Sequence, residues 1–209
     1  MKLCVINADA ANESIKCDLL VTDPPFDMSG IELANIISIQ QCNHLLLITT
    51  MKQLLSFCAN SEWELCFDFV LDHVVPKKSK SVHQPNYIHS TCVYMTRNNA
   101  KSLFDRKLRE RSDTFDNNGY WPTIVRAPRD RMQQLGYAKN TQALIDVIGC
   151  FDAKLIGDIF AGSGTAAFAA FELDRDCILI EREQQLCDQI RQQFKFLGVQ
   201  LLEIDGVNV

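Results

Sequence analysis

The chain has 209 residues, of which 47% are hydrophobic and 22% charged, and its formal net charge is −5. This composition is typical of one globular domain over 1–209. It lacks the run of roughly 20 apolar residues that a membrane span needs. The N-terminal apolar stretch is too short for a signal peptide, and we therefore expect a cytoplasmic location.

The apolar residues predict strands and helices that alternate along the chain. We expect strands at 3–6, 18–22, 44–49, 63–75, 90–96, 154–159 and 176–180. We expect helices at 31–42, 51–59, 141–150, 166–173 and 183–196. Such alternation predicts a mostly parallel α/β sheet with helices on both faces, whose ligands bind at the carboxyl ends of the strands.

Residues 97–136 break this pattern because they are polar, charged and weakly periodic, and we expect an insertion there. Nucleic-acid-binding proteins usually carry a basic surface, so the net charge of −5 counts against that class. The basic residues are nevertheless concentrated. Residues 97–131 hold nine Lys and Arg against five Asp and Glu, and Lys77, Lys78 and Lys80 precede them. This distribution is compatible with a locally positive face.

The chain contains nine cysteines but no Cys-x-x-Cys pair, which argues against a zinc site. Five of them lie in apolar, strand-like stretches, namely Cys4, Cys17, Cys66, Cys92 and Cys177. We therefore expect buried free thiols in a reducing compartment and no bound metal.

A glycine-containing turn follows the predicted strand at 154–159. Its residues are Phe160, Ala161, Gly162, Ser163, Gly164 and Thr165. Glycine lets a ligand approach the backbone closely, and the helix that follows directs free N–H groups at that ligand. Glu181 ends the next strand, where an acid accepts hydrogen bonds from both hydroxyls of a ribose. The pattern predicts a site for an adenosine-containing cofactor; the alternative is an ordinary tight turn.

A second unusual segment, Asp23-Pro24-Pro25-Phe26, ends the predicted strand at 18–22. The two prolines stop the strand and stiffen the turn. Asp23 and the carbonyl of Pro24 supply hydrogen-bond acceptors, and Phe26 supplies a ring for stacking. These groups suit a planar ring that carries an amino group. The alternative is a Pro-Pro turn beside a core phenylalanine.

Together the two motifs resemble those of the amino-methylating DNA methyltransferases. The catalytic pattern of that family is Asp, Asn or Ser followed by Pro-Pro and an aromatic residue. In this chain the catalytic motif precedes the cofactor motif, which is similar to the circularly permuted β group of bacterial and phage enzymes. The resemblance implies a Rossmann-like S-adenosylmethionine (AdoMet) dependent methyltransferase sheet, circularly permuted, with a small target-recognition insertion at 97–136.

The resemblance also implies roles for individual residues. It makes Asp23, Pro24, Pro25 and Phe26 the catalytic residues. It assigns cofactor binding to Asp9, Lys139, Asp158, Phe160, Ala161, Gly162, Ser163, Gly164, Thr165 and Glu181. Within this set Asp9 faces the adenine and Lys139 neighbours the methionine end of the cofactor. The chain departs from the family pattern at Ala138, Asn140 and Ile159, where prolines or a His-Pro lead-in are usual.

The implied reaction is transfer of a methyl group from AdoMet to the N6 amino group of adenine in double-stranded DNA. The target base would be flipped out of the duplex to reach Asp23. Asp23 and the Pro24 carbonyl would accept the two amino hydrogens, so that Asp23 acts by electrostatics and positioning. Asp in the first position resembles the adenine enzymes, whereas Ser is commoner in those acting on cytosine. We expect a monomer or homodimer.

Four alternatives stay open on the sequence alone. The first is an N4-cytosine DNA methyltransferase. The second keeps the fold but acts on RNA or a protein amide side chain, which the motif order disfavours. The third is a non-catalytic nucleic-acid-binding protein that retains the fold. The fourth, a dinucleotide-dependent oxidoreductase, would want a third glycine in register and leaves Asp23–Phe26 unexplained.

Overall fold

The structure, a computed structural model, describes residues 1–77, 82–83, 85–109, 121–127 and 141–202. Strands and helices alternate along most of this part of the chain. The strands are β1 (Lys2–Asn7), β2 (Leu19–Thr22), β3 (His44–Thr49), β4 (Glu64–Lys77), β5 (Tyr87–Thr96), β6 (Ile124–Arg126), β7 (Leu155–Asp158), β8 (Asp176–Glu181) and β9 (Gln200–Leu202). The helices are α1 (Gly30–Ser38), α2 (Met51–Cys58), α3 (Thr141–Gly149), α4 (Thr165–Glu172) and α5 (Gln184–Phe196).

The described strands form one sheet in the order β6-β4-β5-β3-β2-β7-β8-β1-β9. Every neighbouring pair is parallel except those that β5 makes with β3 and β4. The strands β1, β2, β7 and β8 therefore all end at one edge of the sheet, called here the carboxyl edge. The predicted mostly parallel α/β fold is confirmed.

Each face of the sheet carries its own hydrophobic core because successive strand residues point to opposite sides. In β2, Leu19 and Val21 pack with the buried sides of α3, α4 and α5. Leu20 packs instead with residues of α1 and α2. All four residues of β2 are buried, as expected for a central parallel strand covered on both faces. None of the helices described is both long and apolar enough to cross a membrane.

Helix α1 ends at Ser38, four residues before the predicted end at 42. The buried side chain of Gln40 explains the difference. Its amide Nε2 donates to the carbonyls of Glu13 (3.0 Å) and Ile36 (3.1 Å), and its Oε1 accepts from the N–H of Ile15 (3.0 Å). These bonds turn the chain out of the helix toward the segment before β2, which the helical spacing of apolar residues could not reveal.

Other sequence predictions were incomplete or wrong. The short edge strands β6 and β9 were not predicted, and β6 pairs with β4 although it lies within the polar segment 97–136. Because 110–120 and 128–140 lie outside the described residues, the insertion itself stays a prediction.

Seven of the nine cysteines are buried, but Cys58 and Cys66 are exposed. Cys66 sits where the pairing of β4 with β5 shifts register, which turns it outward.

The tight contact between α1 and α2 allows a stability test. A Cβ placed on Gly30 would lie 2.4 Å from the backbone nitrogen of Phe57 and 2.5 Å from the carbonyl oxygen of Gln53. We expect Gly30→Ala to force the helices apart and to lower the free energy of unfolding by about 1–3 kcal/mol in urea titrations. The control is Met51→Ala, at the exposed start of α2, which should change it by about 0.5 kcal/mol or less. An unchanged or higher stability of Gly30→Ala would contradict this packing.

Candidate active site

The Asp23–Phe26 loop leaves the sheet at the carboxyl edge, directly after β2. Asp23 is half-buried, Pro24 is buried and Pro25 is exposed. The N–H of Met28 donates to the carbonyl of Pro25 over 3.1 Å, which closes a four-residue turn, the 25–28 turn. Phe26 lies in this turn and its side chain is 49% exposed. Its ring is therefore accessible to a planar ligand.

The glycine-containing loop leaves the same edge after β7. Gly162 and Gly164 have φ values of 52° and 81°, the left-handed conformation that favours glycine. At Gly164 a Cβ would also approach Ile190 Cγ1 to 3.1 Å. Helix α4 starts immediately afterwards at Thr165, so its first backbone N–H groups face this edge. The loop thus has the tight glycine turn before a helix that the sequence predicts.

Glu181, at the end of β8, holds this loop in place. Its Oε2 accepts from the N–H of Gly162 over 2.7 Å, and its Oε1 accepts from the N–H of Glu183 over 2.9 Å. The side chain is buried, and the two bonds fix the plane of its carboxylate. Each oxygen retains a further lone pair for a ligand.

The remaining loop residues are placed as follows. The N–H of Ala161 donates to the carbonyl of Ile180 over 3.1 Å, which ties the loop to β8. The hydroxyls of Ser163 and Thr165 lie 3.4 Å apart at the start of α4. Phe160 is half-buried and packs against the core on the side of α1 and α2.

A hydrogen bond joins the two loops although they lie far apart in the chain. The hydroxyl of Thr22 donates to Oδ1 of Asp158 over 3.1 Å, and the N–H of Phe160 donates to the same oxygen over 3.0 Å. Strands β2 and β7 pair side by side, with Leu20 opposite Gly157. The sheet thus brings together the two motifs that the sequence singled out separately.

Three carboxylates lie at the ends of β2, β7 and β8. The pKa of Asp158 is raised to about 7, mainly by burial and also by the negative charges of Asp23 and Glu181, although the Phe160 N–H and the Thr22 hydroxyl lower it. This concentration of negative charge favours a cationic ligand and disfavours an anionic one. Among the described residues, no three His, Cys, Asp or Glu side chains come together as a metal site.

Asp9 lies in the turn that follows β1 at the same edge. Its Oδ1 accepts from the N–H of Ala11 over 2.9 Å, and the side chain is exposed. The neighbouring N–H of Ala8 donates to the carbonyl of Glu181 over 3.1 Å, which places this turn beside the end of β8. The other predicted cofactor residue, Lys139, lies outside the described residues.

Two basic residues counted toward a positive face have structural roles instead. Arg97 donates to the carbonyls of Gln40 and Cys42 at the edge opposite the two loops. Arg109 forms a salt bridge of 3.2 Å with the buried Asp146 of α3. Both guanidinium groups therefore make contacts that hold segments of the fold together. Arg126, at the end of β6, is exposed on the side of the carboxyl edge.

The sequence patterns do not single out two polar residues of the site. They place Thr22 in a strand and Gln53 in a short helix. Gln53 is 3% exposed and its side chain donates to the loop after Pro24. The sequence contains one signal for Gln53. It is a polar residue on the same side of α2 as the apolar Leu54 and Phe57, the side that is buried.

The site fits a nucleoside cofactor with a positively charged end. A Cβ on Gly162 would meet one neighbouring atom, the carbonyl oxygen of Phe160 at 3.9 Å, which leaves room for close approach to the backbone. Glu181 offers acceptors for ribose hydroxyls. The cluster of Asp23, Asp158 and Glu181 would repel the pyrophosphate of a dinucleotide but attract the sulfonium and ammonium groups of AdoMet.

Comparison with known proteins agrees with this geometry. Residues 138–192 match the sequence profile of the DNA methylase family N6_N4_Mtase. No curated protein matches the chain significantly in sequence. Among solved structures, the complex of M1.HpyAVI with SAM has a TM-score of 0.68 at 17% identity, covering 91% of this chain and 99% of that one.

Two further structures match at similar levels. The PvuII DNA methyltransferase, described as cytosine-N4-specific, has a TM-score of 0.67 at 14% identity, covering 91% of this chain and 85% of that one. TTHA0409 from Thermus thermophilus, in complex with S-adenosyl-L-methionine, has a TM-score of 0.68 at 14% identity, covering 100% and 99%. The fold is therefore that of the AdoMet-dependent methyltransferases. The family match and this fold confirm the resemblance to the amino-methylating DNA methyltransferases.

Proposed function

We propose that the protein transfers a methyl group from AdoMet to an exocyclic amino group of DNA, with N6 of adenine as the target. The observation that carries this proposal is the hydrogen bond from Thr22 to Asp158, which joins the Asp-Pro-Pro-Phe loop to the cofactor loop at one sheet edge. The match of 138–192 to the DNA methylase family supports the choice of DNA as substrate. The likeness to two structures solved with the cofactor supports AdoMet.

The cofactor-binding residues would be those at the ends of β1, β7 and β8. Glu181 would accept hydrogen bonds from the ribose, and Asp9 would lie beside the adenine. The cluster of Asp23, Asp158 and Glu181 would stabilise the cationic end, and Lys139 would neighbour the methionine end. When bound, AdoMet supplies an activated methyl group, so the protein has mainly to orient the acceptor amine.

The catalytic loop would perform that orientation. Asp23 and the Pro24 carbonyl would accept the two hydrogens of the target amino group. These bonds return electron density to a nitrogen whose lone pair is otherwise delocalised into the ring. Phe26 would stack on the flipped base, a contact worth about 1–3 kcal/mol that offsets part of the cost of unstacking. The proton leaves after transfer has made the nitrogen acidic.

Cytosine N4 is the second candidate target, because one of the matching structures is a cytosine-N4-specific enzyme. Asp23 in place of Ser favours adenine. Both targets present the same amino group to the same acceptors, so the loop chemistry does not depend on the choice.

The test uses tritiated AdoMet with unmethylated double-stranded DNA, single-stranded RNA and a protein mixture as separate substrates. We expect label in DNA and recovery of N6-methyladenine after digestion to nucleosides. Label in N4-methylcytosine would move the assignment to the second candidate. Label in RNA or protein alone would refute a DNA substrate. AdoMet binding without any transfer would favour a non-catalytic role.

A further inference from the structure

A buried glutamine links α2 to the catalytic loop. Both hydrogens of the Gln53 amide are donated to this loop, to the carbonyls of Pro25 (3.1 Å) and Met28 (3.0 Å). Its Oε1 accepts from the hydroxyl of Thr49 over 2.7 Å. The amide therefore uses its donors on the loop and its acceptor on the end of β3, and its orientation is determined by its partners.

The two carbonyls that Gln53 binds are the two ends of the 25–28 turn. The same turn is closed internally by the bond from the Met28 N–H to the Pro25 carbonyl. Gln53 therefore holds the turn at both ends, with the exposed Phe26 between them. The rings of Pro24 and Pro25 fix their own φ angles. A bond that holds the Pro25 carbonyl therefore also limits the orientations open to Pro24 and Asp23.

The residues that surround Gln53 are buried or hydrogen-bonded. The hydroxyl of Thr50 caps α2 by accepting from the Gln53 N–H over 3.3 Å. Thr49, which ends β3, is 1% exposed. Gly30, at the start of α1, packs against the backbone of Gln53 and Phe57. The loop is thus anchored to packed helices on one side, while its other side faces the carboxyl edge.

From these contacts we propose that Gln53 is a positioning residue for the methyl transfer. Gln53 holds the Pro25 carbonyl toward α2. Asp23 and the Pro24 carbonyl are then directed toward the target amino group, and Phe26 toward the ring of the target base. This inference rests on the proposed function. It adds a residue outside both motifs, which acts through the loop without touching substrate or cofactor.

The chain offers a matched control for this role. Gln40 is also a buried glutamine, 1% exposed, with two bonds from Nε2 to carbonyls and one bond to Oε1. It lies at the end of α1 that faces away from the carboxyl edge. Gln53→Met and Gln40→Met therefore remove the same chemistry from equally buried positions, and the two differ in whether the catalytic loop loses a support.

The experiment compares kcat at saturating AdoMet and DNA, KM for DNA, and the AdoMet dissociation constant of both variants. A misplacement of about 1 Å at a reacting group costs about 10²-fold in rate. We therefore expect Gln53→Met to lower kcat by about 10–100-fold with AdoMet affinity within about threefold of wild type. Gln40→Met should leave kcat within about threefold, since it keeps the loop intact.

Four results would overturn the proposal. One is an unchanged kcat in Gln53→Met, and another is an equal loss of kcat in both variants, which would indicate a general effect of stability. If Gln53→Met does not fold, Gln53→Glu decides, because it keeps the shape and replaces the amide donor that faces the two loop carbonyls by an acceptor oxygen; a kcat within about twofold of wild type would then refute the role. A wild-type protein that transfers no methyl group to DNA would refute the proposed function and this inference together.

Discussion

Asp23→Ala should abolish nearly all methyl transfer to DNA and weaken AdoMet binding much less, because Asp158 and Glu181 remain at the cofactor site. The carboxylate is at the end of β2, next to the cofactor loop, and no neighbouring acid on its own strand replaces it. Loss of one preorganised group that stabilises developing charge typically costs about 10²–10³-fold in kcat. We expect a loss of that size or more, measured as tritium transferred per enzyme at saturating substrates.

Asp27 supplies the matched control for this substitution. It lies in the same loop, its side chain is exposed, and it is not part of the proposed acceptor pair. Asp27→Ala should therefore keep kcat within about threefold of wild type. Asp23→Asn, which retains one acceptor oxygen, should fall between wild type and Asp23→Ala. Transfer at the wild-type rate in Asp23→Ala would rule out the mechanism proposed for this loop.

AdoMet binding should weaken as the pH falls below about 7. The pKa of Asp158 is raised to about 7, so this carboxyl is increasingly protonated under more acidic conditions. Because the cationic cofactor favours the ionised form, its dissociation constant should rise by at most about tenfold per pH unit below 7. Calorimetry between pH 5.5 and 8 measures this dependence, and at pH 7 binding should release protons to the buffer.

The same group predicts the pH dependence of the ligand-free protein. Its pKa rises from 3.8 to about 7 on folding, so its contribution to stability is full below pH 3.8 and is lost as the pH rises through about 7. As the pH rises over that window, the unfolding free energy of wild type should therefore fall relative to that of Asp158→Asn, whose amide does not titrate. Asp158→Asn should also bind AdoMet with little dependence on pH. A pH-independent affinity of the wild-type protein would argue against ionised Asp158 as part of the cofactor site.

The sequence predicted the strands near the site well, because each is a short apolar run and three of them, β2, β7 and β8, end at or just before an acid. The strand at 44–49 was predicted with the bounds that β3 has in the structure. The end of β2 at Thr22 and the turn at Gly162 were also recognisable, since proline and glycine restrict the backbone in known ways. These local signals were sufficient to predict the fold and both loops.

What the sequence could not reveal were contacts between distant segments. The hydrogen bond from Thr22 to Asp158 and those from Gln53 to the catalytic loop join elements whose proximity follows from the sheet order. Arg97 looked like a surface charge because its three acceptor carbonyls belong to a segment more than 50 residues away. For the same reason the sequence did not show that α1 ends before Gln40, since the side chain of Gln40 binds the distant Glu13 and Ile15.

The pairing of β2 with β7 has a consequence for how such proteins diverge. The chemistry proposed here requires two loops to be lateral neighbours, and the Thr22–Asp158 bond supplies that adjacency across 136 positions of sequence. This hydrogen bond does not depend on which of the two strands comes first in the sequence. A circular permutation, which joins the old termini and opens the chain elsewhere, would therefore leave the pairing of β2 with β7 intact. The order of the two motifs can thus change during evolution, whereas the two strands must remain neighbours.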